Sequence, residues 1–296
     1  MSATSDAVGT ASASRRTKDL IFRLAMLAAI ALAMLMLGVL LVDVVIDGAG
    51  RLTWDFVTSF SSIAADQSGI QAALWGTIWL MAVCALFIVP VGVATAIYLE
   101  EYADNERWYN RVVEVNIQNL AAVPSIVYGI LGLAFLVRGP LSFGPVVLAG
   151  GLTLGLLVLP VVIIAGREAI RAVPPSIREG SMALGATQWQ TIWKQVLPAA
   201  VPGIATGVIL ALARAIGETA PLIVVGAATF IAFNPEGLDS RFTAMPIQIF
   251  EWISRPSSDV NDYKPLAAAG ILLLMILLLA MNSVAIWLRN RYEQKW

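Results

Sequence analysis

The sequence of 296 residues contains no histidine, a single cysteine and few charged residues. Without histidine, a Ser-His-Asp triad and zinc sites of the Cys/His type are excluded. The one thiol, Cys84, cannot form a disulfide bond within the chain. Charged residues make up 13% of the chain, whereas average soluble domains contain roughly 25%. So few charges could not cover the surface of a soluble protein of this size, which excludes a soluble enzyme.

Two further absences concern nucleotides and nucleic acids. The P-loop sequence G-x₄-G-K-[ST] occurs nowhere in the chain, so we expect no ATP site of that kind and no cofactor or metal held by this chain. The net charge is −1, from 19 Lys+Arg and 20 Asp+Glu. This balance argues against nucleic acid as a partner.

Apolar residues are abundant instead, at 58% of the chain, with a mean hydropathy of +0.79. Their long runs predict an all-α polytopic membrane protein. We predict six transmembrane helices, at about residues 22–42, 71–99, 117–137, 142–165, 202–231 and 266–288. The first run is longer than the core of a secretory signal, so we predict that it is an uncleaved span.

The predicted organisation has three parts. Residues 1–19 are small and polar and are expected to form a disordered cytoplasmic tail. Residues 20–70 contain the first span and an external loop, and residues 71–296 contain the other five spans. With the N-terminus placed in the cytoplasm, 13 Lys and Arg residues lie inside and 5 outside. The positive-inside rule therefore predicts that both termini are cytoplasmic.

The segment 166–200 is predicted to be cytoplasmic and to contain two short helices. Ser176-x-x-Glu179 and Thr187-x-x-Gln190 each fit a capping box at a helix start. Gly185 is expected to end the first helix in a left-handed conformation, and Pro198 to end the second. One apolar face is predicted on the second helix, formed by Trp189, Ile192, Trp193, Val196 and Leu197. This face suits either a groove on another protein or the lipid surface.

A charged pair is predicted inside the fifth span. Arg214 and Glu218 are spaced i, i+4, so they would share one side of a continuous helix. An arginine at the centre of a span costs about 2.5–3.5 kcal/mol, so such a residue normally faces a polar cavity. Its planar guanidinium fits phosphate or carboxylate oxygens. There are two alternatives to an anion site. The pair could form a salt bridge that locks helices together, or its side chains could extend to the membrane surface.

Beside this pair, Gly203, Gly207, Ala211 and Ala215 recur every four residues. They predict a small-residue face on which another helix can approach closely. In the third span, Pro124 predicts either a break that opens backbone groups toward a cavity or a kink for packing. Ser125 and Tyr128 are candidate pathway residues there. The acidic run of Glu100, Glu101, Asp104 and Glu106 is expected to be a solvated loop.

The spacing of Glu179, Gly185 and Leu197-Pro198 resembles the EAA loop of ABC-importer permeases, although Gly180 and Ser181 replace its two alanines and Gln195 its usual isoleucine. Together with ARAIGETAPL (213–222) and MPIQIFEWISRP (245–256), it resembles the PstA-type permeases of phosphate ABC transporters, from the second span to the C-terminus. The Ala220-Pro221 pair favours this type over the sister PstC type.

The resemblance implies a type I ABC importer permease fold and an importer of inorganic phosphate. It implies a PstC-type second permease, a PstB-type ATPase homodimer that binds ATP and Mg, and a PstS-type phosphate-binding protein, all beside membrane lipid. It places Arg214, Glu218 and Arg167 on the substrate pathway and the chain in a bacterial plasma (inner) membrane. Thr219, Ser125 and Tyr128 are further candidates for the pathway. ATPase coupling would involve Glu179, Gly185, Ala186, Trp189, Trp193, Leu197 and Pro198.

Three alternatives stay open from the residues alone. Arg167 is equally well explained as a positive-inside anchor. A secondary carrier could use Glu218 as a proton site, although no convincing repeat supports it. The coupling loop carries no information about the substrate, so a permease for sulfate or molybdate is the third alternative.

Overall fold

The computed structural model describes residues 13–104, 107–256 and 262–292, and within these ranges all regular elements are helices. Twelve α-helices occur in the described part of the chain, numbered here in order. They are α1 Ala13–Gly48, α2 Trp54–Thr58, α3 Gln71–Ile97, α4 Trp108–Ala121, α5 Ser125–Gly132, α6 Val147–Arg171, α7 Pro175–Ala183, α8 Gln188–Thr191, α9 Leu197–Ala215, α10 Ala220–Val225, α11 Met245–Ser254 and α12 Lys264–Tyr292.

Three wide π-helical turns extend these helices. They follow α3 at Tyr98–Tyr102, follow α5 at Leu133–Val137, and join α8 to α9 at Ile192–Val196. Such turns often occur at functional sites in helices. Two short 3₁₀ turns, Ala49–Arg51 and Ala65–Gln67, lie beside α2.

The prediction of six spans is confirmed if one bent helix pair counts as a single span. Five helical stretches are long and apolar enough to cross a membrane. They are Thr17–Arg51, Gln71–Tyr102, Val147–Arg171, Gln188–Ala215 and Lys264–Arg291. The sixth candidate is the pair of α4 and the helical stretch Ser125–Val137, which meet at 107°.

This bend corrects the third predicted span, residues 117–137. The interruption that Pro124 predicts is a full break, since α4 ends at Ala121 and α5 begins after Pro124. Proline disfavours the helical conformation in the residue before it and removes a backbone donor. The part of the predicted span before the proline therefore belongs to the separate helix α4.

The fifth predicted span, residues 202–231, is wrong at both ends. Helical structure begins at Gln188 and runs through the π turn into α9, so Pro198 does not end the second helix of the 166–200 segment. Pro198 occupies the first turn of α9, where a missing N–H is tolerated. The helix then stops at Ala215, and only the short α10 follows.

The centre of the molecule is α6, which packs between α3 and α9. Two-thirds of its most apolar window is buried, a larger share than in the other candidate spans of the described ranges. The predicted small-residue face of α9 is confirmed, since a Cβ on Gly203 would lie 2.6 Å from Ala169 Cβ of α6. Gly207 approaches Ala165 in the same way, while Ala211 and Ala215 are fully buried.

The first helix lies at the edge of the molecule. It packs mainly against α12, where Gly48 approaches the backbone of Ala268. Residues 13–19 belong to α1, so the predicted disordered tail of residues 1–19 is wrong for that part. The remainder of the predicted tail, residues 1–12, lies outside the described residues.

The stretch MPIQIFEWISRP forms helix α11, which is buried against α3 and α12. Met245, Ile247 and Trp252 are almost completely shielded there. Thr77 of α3 accepts a hydrogen bond from the Met245 backbone N–H at 2.9 Å and fixes the start of α11. This part of the PstA-like pattern therefore builds the core of the fold.

Candidate functional site

The Arg214–Glu218 pair lies where the helix breaks. Arg214 occupies the last turn of α9, and Glu218 lies in the non-helical residues 216–219 between α9 and α10, called here the α9–α10 break. The expectation of a continuous helix through both residues is therefore wrong. The two side chains still meet, because Arg214 Nε lies 3.5 Å from Glu218 Oε1.

This pair is loose and open. The Arg214 side chain is 44% exposed and that of Glu218 is 18% exposed. The hydrogen bond uses only Nε of the guanidinium, so the planar fork of Nη1 and Nη2 has donors left for another acceptor. Thr219 begins α10 without a side-chain capping hydrogen bond. The break can therefore present a permanent positive charge to a ligand with several oxygens.

The break after α4 lies next to the α9–α10 break. Helix α5 packs closely on α10, because a Cβ on Gly129 would lie 2.8 Å from Pro221 Cα. Tyr128 belongs to the same buried cluster as Ala215 and Leu222 and lies within electrostatic range of Arg214. The structure thus brings Tyr128 to the site, whereas Ser125 is only placed one helical turn away on α5.

The Tyr128 hydroxyl, however, already has a partner. It donates a 2.8 Å hydrogen bond to the backbone oxygen of Leu120, near the end of α4, and the residue is 6% exposed. This bond joins the two helices on either side of the 107° bend. Tyr128 therefore fixes the bend beside the site.

Arg167 is not in the same place as Arg214. Since Gly207 of α9 meets Ala165 of α6, Arg167 lies about 13 Å from the level of Arg214 along α9, at ~1.5 Å per residue. Its residue exposure is 8%. An exposed anchor at the membrane surface, which was one of the two sequence interpretations, does not fit this burial.

Two carboxylates surround the Arg167 guanidinium. Nη1 donates to Glu114 of α4 at 2.9 Å, and Nε lies 3.5 Å from a Glu100 oxygen in the π turn after α3. A buried arginine in this setting is neutralised by its own chain. The arrangement makes Arg167 a link between three helices.

The acidic run is therefore not a solvated loop in its first two residues. The side chains of Glu100 and Glu101 are 16% and 9% exposed. They form two neighbouring groups of ion pairs, called here together the Arg–Glu junction. Glu100 pairs with Arg167 and Arg171, and Arg167 also pairs with Glu114, while Glu101 pairs with Arg178. The sequence contains a signal for this junction. Acidic residues lie directly after the second predicted span, and three arginines lie in the next segment that is predicted to be on the same, cytoplasmic side of the membrane.

In the 166–200 segment, the two predicted helices and the glycine turn are confirmed as α7 and α8 around Gly185, whose φ is +87°. The Thr187–Gln190 capping box is present in both directions. The Ser176–Glu179 capping box is wrong. The N-cap of α7 is Pro174, two residues before Ser176, and it makes no side-chain capping hydrogen bond. Proline at the first helical position already lacks the N–H that needs a partner.

The predicted apolar face on the second helix divides into two. Ile192 and Val196 are each 1% exposed and pack into the chain, while Leu197 is partly buried. Trp189 and Trp193 are 58% and 48% exposed and contact each other edge to face at 5.3 Å. The wide π turn changes the angular positions of its residues around the helix axis relative to a regular α-helix. A prediction from the regular helical period therefore placed both groups on one face.

A groove of about 450 Å³ separates α7 from α8. Its lining combines polar and apolar side chains, among them Ser176, Ile177, Leu184, Gln190 and Lys194. Glu179, Gly185 and Leu184 are exposed beside it, and Leu184 is 91% exposed. Such a surface could receive a partner protein. In the described ranges, groups of three or more acidic or cysteine side chains that could hold a metal do not occur.

Comparisons with known proteins show the family to which the chain is similar. The family model described as "Binding-protein-dependent transport system inner membrane component" matches residues 88–295. The probable ABC transporter permease protein YqgI of Bacillus subtilis is 31% identical over 261 residues, which cover 85% of this chain and 88% of YqgI.

Two relatives have phosphate permease names. The phosphate transport system permease protein PstA of Haemophilus influenzae is 31% identical over 244 residues, or 82% of this chain and 83% of that protein. PstA 1 of Mycobacterium tuberculosis is 39% identical over 189 residues, which cover 64% of this chain and 60% of that protein. The resemblance to PstA-type permeases is thereby confirmed.

Solved structures show the same fold. A bacterial alginate ABC transporter chain aligns with a TM-score of 0.69 at 18% identity and covers 94% of this chain and 97% of its own length. An inward-facing MetNI methionine ABC transporter chain aligns with a TM-score of 0.62 at 17% identity and covers 75% and 95%. The predicted type I ABC importer permease fold is confirmed, and the chain belongs to the family of binding-protein-dependent transport system inner membrane components, which are multi-pass permeases of ABC importers.

Proposed function

We propose that this chain is a transmembrane permease subunit of an ATP-driven importer of inorganic phosphate. The observation that supports this proposal most is the geometry of the α9–α10 break. There the partly exposed guanidinium of Arg214 lies at a helix interruption in a largely apolar chain. The names of the PstA relatives support the choice of anion. Arg214 and Glu218 are the proposed anion contacts, with Thr219, Ser125 and Tyr128 beside them.

The guanidinium suits phosphate for geometric reasons. Two parallel N–H groups match two oxygens of a tetrahedral oxyanion, and the charge stays at every physiological pH. In an apolar setting, an unpaired arginine is costly. Glu218 reduces this cost in the empty protein because it pairs with Nε, and the fork remains free for substrate.

Glu218 gives a reason for choosing phosphate over sulfate. Hydrogen phosphate carries its own proton, so it can donate to the carboxylate while it accepts from Arg214. Sulfate at neutral pH has no proton to donate and would meet the carboxylate as a like charge. The pair therefore favours a protonated tetrahedral anion.

Energy comes from a separate ATPase in this proposal. Its docking place is the groove between α7 and α8, with Glu179, Gly185, Ala186, Leu197 and Pro198 forming or supporting it and the Trp189–Trp193 pair exposed beside it. ATP and Mg bind in an ATPase homodimer of PstB type. A second permease of PstC type completes the pathway, and a PstS-type binding protein delivers phosphate from outside. Both termini of this chain lie in the cytoplasm in this proposal.

Reconstitution into liposomes tests the function directly. The chain is inserted with the second permease and the ATPase, and the binding protein is added outside with radiolabelled phosphate. Uptake is measured with enclosed ATP, with an enclosed non-hydrolysable analogue, and with excess sulfate outside. We expect uptake that requires hydrolysis and resists sulfate. Uptake by this chain alone, driven by a proton gradient, would instead support a secondary carrier, and inhibition by sulfate or molybdate would identify another oxyanion.

The Glu218→Gln variant tests the selectivity argument in the same liposomes. The amide keeps the shape of the side chain but can no longer act as an anionic acceptor for the phosphate proton. We expect discrimination against sulfate to fall by about tenfold, which corresponds to one charge-assisted hydrogen bond. Unchanged discrimination with normal phosphate uptake would show that Glu218 does not select the anion.

A further inference from the structure

A shielded ion pair joins the end of α3 to helix α7. In the π turn Tyr98–Tyr102, Leu99 is 3% exposed and holds the turn against the core, and the Glu101 side chain that follows is 9% exposed. A carboxylate with so little water costs free energy unless it is paired. Its partner is Arg178, in the middle of α7.

Arg178 satisfies three acceptors at once. Its Nε and Nη2 donate to Glu101 Oε1 at 3.0 and 2.8 Å, Nη1 donates to the Val173 backbone oxygen at 2.7 Å, and Nη2 also donates to the Ile170 oxygen at 2.9 Å. Helix α6 ends at Arg171, so its last carbonyls need partners from elsewhere. One guanidinium thus connects α7 to the ends of both α3 and α6.

The second helix of the segment is attached to the same place. The Gln188 side-chain amide donates to the Glu101 backbone oxygen at 2.6 Å, and the hydroxyls of Ser181 and Thr191 lie 2.9 Å apart across the Gly185 turn. Both α7 and α8 therefore make polar contacts that fix their position relative to the membrane helices.

The ends of α3 and α6 are also continuous with the core. A Cβ on Gly92 of α3 would lie 2.7 Å from a Val162 methyl of α6, and one on Gly155 of α6 would lie 2.6 Å from the Phe87 ring. Helices packed this closely cannot slide independently without overlap. A displacement of the two ends must therefore move the packed pair.

We propose that Glu101 and Arg178 are positioning residues that make α7 move together with the ends of α3 and α6. A displacement at the groove between α7 and α8 is then passed to α3 and α6 through this ion pair. The residues that connect the helices do not absorb it. This inference rests on the proposed function, because the displacement would come from the ATPase. It assigns the acidic residues after the second span a role in energy transfer.

Transport per ATP is the readout that separates positioning from simple stabilisation. In the reconstituted complex, we expect Glu101→Gln to retain ATP hydrolysis while phosphate transported per ATP falls at least about fivefold, the size of a typical coupling between sites. The matched control is Glu168→Gln, whose carboxylate is 66% exposed in a pair with Arg171. The control should keep the wild-type ratio, and a wild-type ratio in Glu101→Gln would overturn the proposal.

A second measurement needs neither substrate nor ATPase. Spin labels are attached at Tyr98→Cys and Met182→Cys, which are 51% and 48% exposed, while the native Cys84 is fully buried. We expect a narrow distance distribution between the labels in the wild-type background and a broader one in Glu101→Gln and Arg178→Lys. Equal widths would overturn the proposal even if the complex does not assemble. Failure of wild-type phosphate uptake would count against the proposed function alone, since the distances decide on the pair separately.

Discussion

Two of the arginine–glutamate pairs in this molecule, one in the α9–α10 break and one in the Arg–Glu junction, differ in distance and in exposure. In the α9–α10 break, Arg214 and Glu218 are 3.5 Å apart and the arginine is 44% exposed. In the Arg–Glu junction, Arg178 and Glu101 are 2.8 Å apart, and their side chains are 20% and 9% exposed. The first pair leaves most donors unused, and the second uses donors on all three of its nitrogens.

The difference indicates two kinds of work. Short, shielded bonds between charged groups are strong and hold elements in place, whereas exposed and long pairs contribute little to stability. A loose pair in an apolar chain is kept for another reason, and a ligand is the simplest one. The comparison therefore supports the two proposals, anion contact in the break and force transmission in the junction.

The largest effect is expected for the open arginine. Arg214→Ala should reduce phosphate uptake by about 100-fold or more, since the loss of a charge-stabilising group costs about 3 kcal/mol or more, while the thermal stability of the solubilised chain changes little. Arg214→Lys should rescue only part of the uptake, because lysine keeps the charge but loses the planar fork. Arg138→Ala, at another exposed arginine, is the control, and equal uptake in all variants would refute the assignment.

The junction should show the opposite behaviour, with stability more affected than at exposed pairs. Arg178→Ala leaves the shielded Glu101 carboxylate and the Val173 carbonyl without their donors, at a cost of about 2–3 kcal/mol. Arg107→Ala removes an arginine outside the junction whose side chain is 61% exposed in its pair with Asp104, and should cost less than about 1 kcal/mol. Equilibrium unfolding in detergent measures both, and equal costs would contradict the difference in shielding.

Packing between α6 and α9 gives a smaller effect. Gly207→Leu forces a large side chain against Ala165 and should destabilise the chain by about 1–3 kcal/mol. Gly38→Leu in α1 is the matched control, because a Cβ there would have nothing within 4 Å. Thermal melting in detergent should separate the two variants. If they melt alike, the two helices do not approach as closely as described.

The smallest effect concerns the helix starts of the 166–200 segment. Thr187→Ala removes a capping hydrogen bond and should destabilise α8 by about 1 kcal/mol. Ser176→Ala should have almost no effect, since Ser176 caps nothing at the start of α7. Amide hydrogen exchange of the two helices distinguishes these outcomes. Faster amide exchange in α7 of the Ser176→Ala variant would show that Ser176 caps α7, as the sequence pattern predicts.

Features set by local sequence were predictable. The apolar runs, the small-residue face of α9, the glycine turn at Gly185 and the Thr187 capping box depend on neighbours three or four residues apart. The packing of Gly203 against Ala169 follows from such spacing. Local chemistry determines each of these features, so the pattern was sufficient.

Features set by distant contacts were not predictable. The prediction that Pro198 ends a helix is wrong because the π turn before it has no sequence signature. The stop at Ala215 lies inside a span that is predicted to continue to residue 231. Glu101 looked solvated because its partner Arg178 is 77 residues away. Pairs of this kind require the fold before their geometry can be known.

The most direct test of the account is a cryo-electron microscopy structure of the assembled importer with phosphate present during turnover. The account predicts density for a tetrahedral anion within hydrogen-bond distance, about 2.7–3.2 Å, of the Arg214 guanidinium, in a cavity shared with the second permease. An Arg214 side chain covered by lipid, with the anion passing elsewhere, would contradict it.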